Sequence, residues 1–274
     1  MIIDGKTLAA DVLARIREEA AELPRAPKLR VVMAGMHPAI ESFARIKERR
    51  AREAGIDFSI QRFPDDVSTD MLVAAVKEGD EDALIVQLPL PAQVDTDAVL
   101  AAIPPEKDAD VLSPEAYARF EANAPGALVP PVAFAVREVL ATHAVSLSGT
   151  RAVVVGRGRL VGKPVATWLA REDAQVEVVS RESGGLAEAL KDADIVVSGA
   201  GVPKLITPDI IKPGVVLIDA GTSESSGVIV GDVDPACAEK AALLTPVPGG
   251  IGPLTVAGLL ANTLALARRA QHHA

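Results

Sequence analysis

The chain is short of cysteine, of aromatic residues and of basic charge, and each shortage excludes something. A single cysteine, Cys237, stands among 274 residues. It cannot form an internal disulfide, and no neighbouring His or Cys accompanies it as a metal-ligand set requires. A buried, inert thiol is its expected state. Aromatic side chains make up only 3% of the chain, so the core must be built from Val, Leu, Ile and Ala. Lys and Arg number 28 against 37 Asp and Glu, a net charge of −9. That balance argues against a nucleic-acid partner, whose binding rests on a basic surface. It says little about small anionic ligands, which respond to the local field. No apolar stretch is expected to reach membrane-spanning length, and Met1-Ile2-Ile3-Asp4 lacks the basic segment and apolar run of an export signal. The expectation is a soluble cytoplasmic protein with no membrane partner. His272 and His273 carry no expected role at the tail, and no internal repeat is apparent.

What is present is apolar and regularly patterned. Hydrophobic residues are 49% of the chain and mean hydropathy is +0.26, values of a well-buried α/β protein. The length fits one large or two modest domains. Leu8, Val12, Leu13 and Ile16 lie among charges in Thr7–Leu23, the stripe of an amphipathic helix. Leu29–Ala34 is β-rich; Pro38–Ala54 is a charged helix stopped by Gly55. Phe58–Phe63 reads as a strand, Ser68–Glu78 as a helix capped by Ser68 or Thr69, and Ala83–Gln87 as a buried strand ending in Leu88-Pro89-Leu90-Pro91. This alternation implies parallel pairing through crossover helices. Residues 124–131, rich in Pro, Gly and Ala, mark a hinge, followed by a helix over Val132–Thr142. Arg151–Val155, Val176–Ser180, Ile195–Ser198 and Val215–Asp219 are short apolar runs suited to a parallel sheet covered on both faces. A last helix is expected over Pro253–Ala270.

The stretch Thr245–Thr263 reads TPVPGGIGPLTVAGLLANT, with three prolines and three glycines within residues 246–253. Glycines allow positive φ and close approach of a ligand, and prolines remove the looseness that glycines bring. The expected product is a stiff loop offering bare N–H and C=O groups to a flat ligand. This string resembles the signature of the bifunctional methylenetetrahydrofolate dehydrogenase/cyclohydrolase family, called FolD in bacteria. IDGKTLA at Ile3–Ala9, VQLPLP at Val86–Pro91, PEKDAD at Pro105–Asp110, GRGRLVGKP at Gly156–Pro164 and GDVD at Gly231–Asp234 follow in the family's order. The resemblance therefore spans essentially the whole chain. It implies two α/β domains with an interdomain cleft. Residues 1–125 would form the catalytic folate-binding domain, braced by a C-terminal helix over 253–274, and residues 126–252 a Rossmann-like NADP-binding domain. It also implies a homodimer through the nucleotide domain, tetrahydrofolate derivatives as substrates, and no metal.

In the second half, the strand Arg151–Val155 runs into Gly156-Arg157-Gly158-Arg159-Leu160-Val161-Gly162 and then a helix over Pro164–Arg171. Small residues there let a pyrophosphate reach backbone N–H groups at a helix N-terminus. The spacing is GxGxxxG rather than GxGxxG, and the strand before it strengthens the signal. An NAD site expects an acid at the end of the second strand, whereas this one ends in Ser180-Arg181, which suits a 2′-phosphate. The resemblance places Arg157 on that phosphate too, and two arginines can clamp it. Glu177 and Glu182 would weaken the NADP reading if either faced the site. The cofactor set is Gly156, Arg157, Gly158, Val161, Gly162, Ser180, Arg181, Gly221 and Thr222.

In the first half, Phe43 and Lys47 share one face of their helix. The family carries Tyr-x-x-x-Lys there, so the ring can stack on the aminobenzoate of a folate but lacks the hydroxyl. From spacing alone Lys47 would be a solvated helix lysine among Arg45, Glu48, Arg49 and Arg50. The resemblance puts it against Gln87, poised to activate water or shuttle a proton. Asp110 matches the residue that accepts the pterin's amino and ring N–H groups, and Asp108 is expected to be structural. Lys47, Gln87 and Asp110 are thus the catalytic set; Phe43, Asp110, Pro248, Gly249 and Gly250 are the substrate-binding set. Two segments depart from the family. Its Gly-Phe-His-Pro is here Val111-Leu112-Ser113-Pro114, and its Pro-Cys-Thr-Pro is Pro130-Pro131-Val132-Ala133. The implied reaction is NADP-dependent oxidation of 5,10-methylenetetrahydrofolate, then hydrolysis to 10-formyltetrahydrofolate. Its rivals are a dehydrogenase with weak cyclohydrolase activity, a non-catalytic folate- or nucleotide-binding paralogue, and an unrelated Rossmann dehydrogenase for a small acid.

Overall fold

The computed structural model describes residues 1–35, 38–180, 184–225 and 228–272. The chain divides into two compact units, one of residues 11–131 with 256–274 and the other of residues 1–10 with 132–255.

Helix α1 (Gly5–Ala21), of which residues 11–21 belong to the first unit, leads to strand β1 (Lys28–Ala34), helix α2 (Pro38–Glu53), strand β2 (Asp57–Phe63), helix α3 (Thr69–Lys77) and strand β3 (Ala83–Val86). The sheet is parallel with order β2-β1-β3, Leu29 standing opposite both Phe58 and Ala83. β3 is buried at every position, covered on its outer side by residues 107–109, whereas the open edge strand β2 is only partly buried. Turn chemistry agrees with the sequence: Gly55 takes φ +74 after α2, and the Ser68 hydroxyl caps α3 by accepting from Met71 N–H at 3.3 Å. Arg30 anchors the far end of the sheet, its guanidinium gripping Glu81 at 2.9 and 3.0 Å. Helices α4 (Thr96–Ala101) and α5 (Pro114–Glu121) were not expected. Each is too short to show a 3.6-residue period, and each is held by a polar cap, Asp95 on Ala98 N–H and Ser113 on Ala116 N–H. Residues 107–109 run extended beside β3: Leu84 N–H donates to Lys107 O at 2.7 Å and Ala109 N–H to Leu84 O at 3.3 Å. Asp110 is thereby delivered to the same edge on which β3 ends.

The second unit contains α6 (Pro131–Thr142), β4 (Arg151–Val155), α7 (Gly162–Arg171), β5 (Gln175–Val179), α8 (Leu186–Lys191), β6 (Ile195–Ser198), β7 (Val216–Asp219), a hairpin of β8 (Ser223–Ser225) and β9 (Val228–Val230), and β10 (Leu243–Thr245). Its parallel sheet has the order β10-β7-β6-β4-β5. Strand β4 lies between β5 and β6, so the order reverses there, the switch point at which open α/β sheets bind ligands. The N-terminus lengthens the β10 edge, with Ile3 N–H on Leu244 O and Leu244 N–H on Met1 O, both at 2.9 Å. Aliphatic residues fill the core, including Val153, Val155, Val196, Leu217 and Leu190. Cys237 is buried, and burial pushes its thiol up to about 11, so it is inert as expected.

Helix α9 (Ile251–His272) corrects one expectation. By length and composition it could cross a membrane, although 61% of its apolar window is buried in the protein. It is a core helix, and Asn262 shows its setting: the side-chain amide donates to Ala109 O at 2.8 Å and Val129 O at 2.9 Å.

Candidate active site

Lys47 lies on α2, which follows β1, and Gln87 directly follows β3 on the opposite side of β1 from β2. This is the switch point of the small sheet, and the two side chains meet there: Lys47 Nζ donates to Gln87 Oε1 at 2.8 Å. Gln87 cannot choose its orientation freely, because its Nε2 donates to Leu88 O and its own N–H to Val32 O, each at 2.8 Å. The amide therefore presents only oxygen to the lysine. Burial pulls the Lys47 ammonium below the ordinary lysine value, and the nearby Asp110 charge opposes that fall. Burial raises the Asp110 carboxyl to about 6, with Lys47 lowering it and Asp108 raising it further. Burial thus shifts both Lys47 and Asp110 toward their neutral forms.

Phe43, one turn before Lys47, is 38% exposed, an uncovered ring beside a half-buried amine. Asp108 is fully buried and accepts the Ser113 N–H at 2.6 Å through Oδ2. Burial raises its carboxyl, and the N–H groups of Ser113, Leu112 and Val111 counter that rise. This is a structural task. It also explains the altered segment: Val111 sits at φ +58, where the family pattern has glycine and a β-branched residue is strained. Wrapping of the 111–113 backbone around Asp108 holds that conformation without glycine.

In the second unit the turn after β4 is built from backbone. Gly156 adopts φ +107 and its N–H reaches Val179 O at 2.8 Å, tying the turn to the end of β5. A Cβ on Gly162 would stand 2.1 Å from Gly156 O, and one on Gly199 would stand 2.3 Å from the Val161 side chain. Val161 thus plugs the gap between the turn and the β6 end, while Gly158 faces open space. No side chain caps the start of α7; its first turn is closed by backbone instead, with Lys163 N–H on Gly158 O at 3.0 Å and Val165 N–H on Val161 O at 3.1 Å, while Pro164 has no N–H to offer. Arg157 is exposed on this turn, and Ser180 follows β5 directly. Arg181 and Glu182 lie outside the described residues. Glu177 is engaged elsewhere, paired with Arg151 at 3.0 Å.

Gly221 and Thr222 follow β7. Gly221 is buried against the Asp232 carboxylate, 2.2 Å from where its Cβ would stand, and Thr222 is exposed beside it. In the Pro-Gly loop Pro248 is exposed, follows a cis peptide bond, and leads to Gly249 at φ +105. Gly250 differs from the sequence expectation of a bare loop. Its N–H is taken by Pro246 O at 2.8 Å, and its carbonyl leaves no room for a Cβ on Gly5. Its smallness serves packing, and the open face is Pro248-Gly249.

Three residues escaped the sequence reading. Asn262 pins the segments on either side of α5, and an amide inside the apolar run LLANT was its signal. Asp219 and Asp232 are 2% and 0% exposed, and burial raises Asp219 to about 6 against the N–H groups of Val233, Asp232 and Gly221. GDVD marked one of them without a role.

A doubly wound nucleotide-type unit, together with a small α/β unit in which Lys47 meets Gln87 near Asp110, is the architecture of a dinucleotide-dependent enzyme. Residues 3–110 match the tetrahydrofolate dehydrogenase/cyclohydrolase catalytic domain, and residues 130–271 match the NAD(P)-binding domain of the same name. The chain belongs to the tetrahydrofolate dehydrogenase/cyclohydrolase family. It is 40% identical to the bifunctional protein FolD of Lacticaseibacillus casei, over 97% of each chain. The crystal structure of the FolD dehydrogenase/cyclohydrolase of Campylobacter jejuni superposes with a TM-score of 0.94 at 30% identity, covering 98% of this chain and 99% of that one. The FolD of Trypanosoma brucei, solved with NADP and an inhibitor, does so with a TM-score of 0.92 at 38% identity, covering 98% of each chain.

Proposed function

We propose that Lys47, Gln87 and Asp110 are the catalytic residues of a bifunctional enzyme. It oxidises 5,10-methylenetetrahydrofolate to 5,10-methenyltetrahydrofolate with NADP and hydrolyses that product to 10-formyltetrahydrofolate. The observation that carries the assignment is the 2.8 Å Lys47–Gln87 bond, made where burial lowers the lysine and Asp110 lies within electrostatic reach. Asp110 as a carboxylate accepts two N–H bonds from the pterin edge and fixes the ring. Phe43 stacks on the aminobenzoate. Bound NADP supplies the hydride acceptor for the first step. In the second step water adds to the methenyl carbon, forming a C–O bond. Lys47 takes one water proton and returns it to N5 as the C–N5 bond breaks; the remaining hydroxyl proton is released to solvent as the C=O forms, leaving the formyl group on N10. Gln87 holds the amine in place and, by offering only its carbonyl, sets which way the lysine hydrogens point.

The nucleotide turn suits NADP. Its glycines keep side chains away from a diphosphate at the start of α7, and the end of β5 carries Ser180 where an NAD site expects an acid, with Glu177 turned to Arg151. Arg157, with Ser180 and Arg181, is assigned to the 2′-phosphate; Gly221 and Thr222 close the far side; Pro248 and Gly249 receive the folate.

Phe43 supports a second reading, an enzyme dominated by the dehydrogenase step, because the hydroxyl that would order Lys47 or a water is missing. An ultraviolet assay following NADPH formation and then methenyl decay in the purified protein separates the readings. Both signals support the bifunctional enzyme, the first alone supports the dehydrogenase, and neither supports the non-catalytic paralogue. The homodimer implied by the family resemblance is part of the proposal, and light scattering in solution measures it.

A further inference from the structure

The buried carboxylates of Asp219 and Asp232 enter no step above, yet they organise both loops that leave the middle of the larger sheet. Asp232 Oδ2 accepts the Ser198 hydroxyl at 2.7 Å, Ala200 N–H at 2.7 Å and Gly201 N–H at 3.3 Å, and Oδ1 accepts Val202 N–H at 2.8 Å. Successive backbone N–H groups converging on one anion form a nest, filled here by the protein's own side chain. Asp219 does the same for the next loop, accepting Gly221 N–H at 3.0 Å, Asp232 N–H at 3.1 Å and Val233 N–H at 2.9 Å. The fit leaves no slack. A Cβ on Gly221 would stand 2.2 Å from the Asp232 carboxyl carbon, and one on Gly231 would stand 2.0 Å from Asp219 Oδ2.

Residues 199–202 follow β6 and residues 220–222 follow β7, adjacent strands in the sheet. The first of these loops touches the dinucleotide turn, since Gly199 N–H donates to Val155 O at 2.9 Å and a Cβ on Gly156 would meet Gly199 O at 2.8 Å. Apart from the Ser198 hydroxyl, the donors to Asp232 are loop amides, so this carboxylate shapes the ligand-binding edge more than the core.

We propose that Asp232, supported by Asp219, is a positioning residue for NADP binding, holding the loops after β6 and β7 in the shape the dinucleotide requires. The inference rests on the NADP reading above. It also gives Gly221 a reason to be glycine that needs no direct ligand contact.

The test is NADP affinity by titration calorimetry set against methenyltetrahydrofolate hydrolysis assayed without NADP. Asp232→Asn turns an NH2 group toward N–H donors. It is expected to raise the NADP Kd by about tenfold or more while leaving cyclohydrolase kcat/KM unchanged. Ser198→Ala removes one donor from the same carboxylate at little steric cost and is expected to raise the Kd by about 2- to 10-fold. It carries the test if Asp232→Asn does not fold. An unchanged Kd in a folded variant, or a parallel fall in hydrolysis, would overturn the inference while leaving wild-type NADP binding intact. A wild-type protein that binds no NADP would overturn the cofactor reading and this inference with it.

Discussion

In the unit of residues 11–131 the candidate site is made of side chains from separated segments, Lys47 on α2, Gln87 after β3 and Asp110 after the extended run 107–109. In the unit of residues 132–255 it is made largely of backbone, a glycine turn between β4 and α7 in which side chains have no room. The first depends on chemical identity and protonation, because burial shifts both Lys47 and Asp110 toward neutrality. The second depends on the absence of atoms, because a Cβ at Gly162 or Gly199 would collide with a neighbour. Side-chain sites therefore fail through lost functional groups, and backbone sites through added bulk or lost support.

The largest expected effect breaks the comparison on the side-chain half alone. Lys47→Met should lower cyclohydrolase turnover by at least about 100-fold, within the range for a lost general acid–base group, and leave NADP affinity unchanged. Methenyl hydrolysis near the wild-type rate would remove Lys47 from the mechanism. On the backbone half, a charged group assigned to the 2′-phosphate should act on a single cofactor. Arg157→Ala should weaken NADP by about 1.5–3 kcal/mol, roughly 10- to 150-fold, with little change for NAD. Equal losses for the two cofactors would assign the arginine to the shared diphosphate or to the fold.

Protonation sharpens the contrast further. The Asp110 carboxyl is raised to about 6 by burial. Above that pH it is a carboxylate that accepts the pterin N–H groups; below it the proton occupies one acceptor position. Folate KM should therefore rise as pH falls through about 6, by up to about tenfold per unit. A KM flat across the range would separate Asp110 from pterin binding. The smallest effect is expected at Phe43. Phe43→Tyr restores a hydroxyl without changing shape and should raise cyclohydrolase kcat a few-fold with folate KM unchanged. An unchanged or lower kcat would mean that the surroundings of Phe43 are packed around the phenyl ring.

The backbone half was the more legible in the sequence. Strand β4, the glycine turn and the helix after it are contiguous, and their meaning lies in local pattern: β-branched residues, small residues, then a helix start. Lys47 was legible only through family resemblance. Its local setting, among Arg45, Glu48, Arg49 and Arg50, reads as a solvated helix face. The helices α4 and α5 were missed because six and eight residues carry too little periodicity. Gly250 was read as a ligand-facing glycine, and its packing against Gly5 joins positions that no local pattern relates.

By itself the sequence determined the alternation of strands and helices, the glycine turn, the buried aliphatic core and the inert thiol, because each follows from a residue and its near neighbours along the chain. Only the tertiary structure decided which groups share low-dielectric space. It joined Lys47 to Gln87 across 40 positions, turned Glu177 toward Arg151, wrapped the 111–113 backbone around Asp108, and buried Asp219 and Asp232 under loop amides. Desolvation and hydrogen bonding act through space over a few ångströms, so the protonation and orientation of these side chains exist only once the chain has folded.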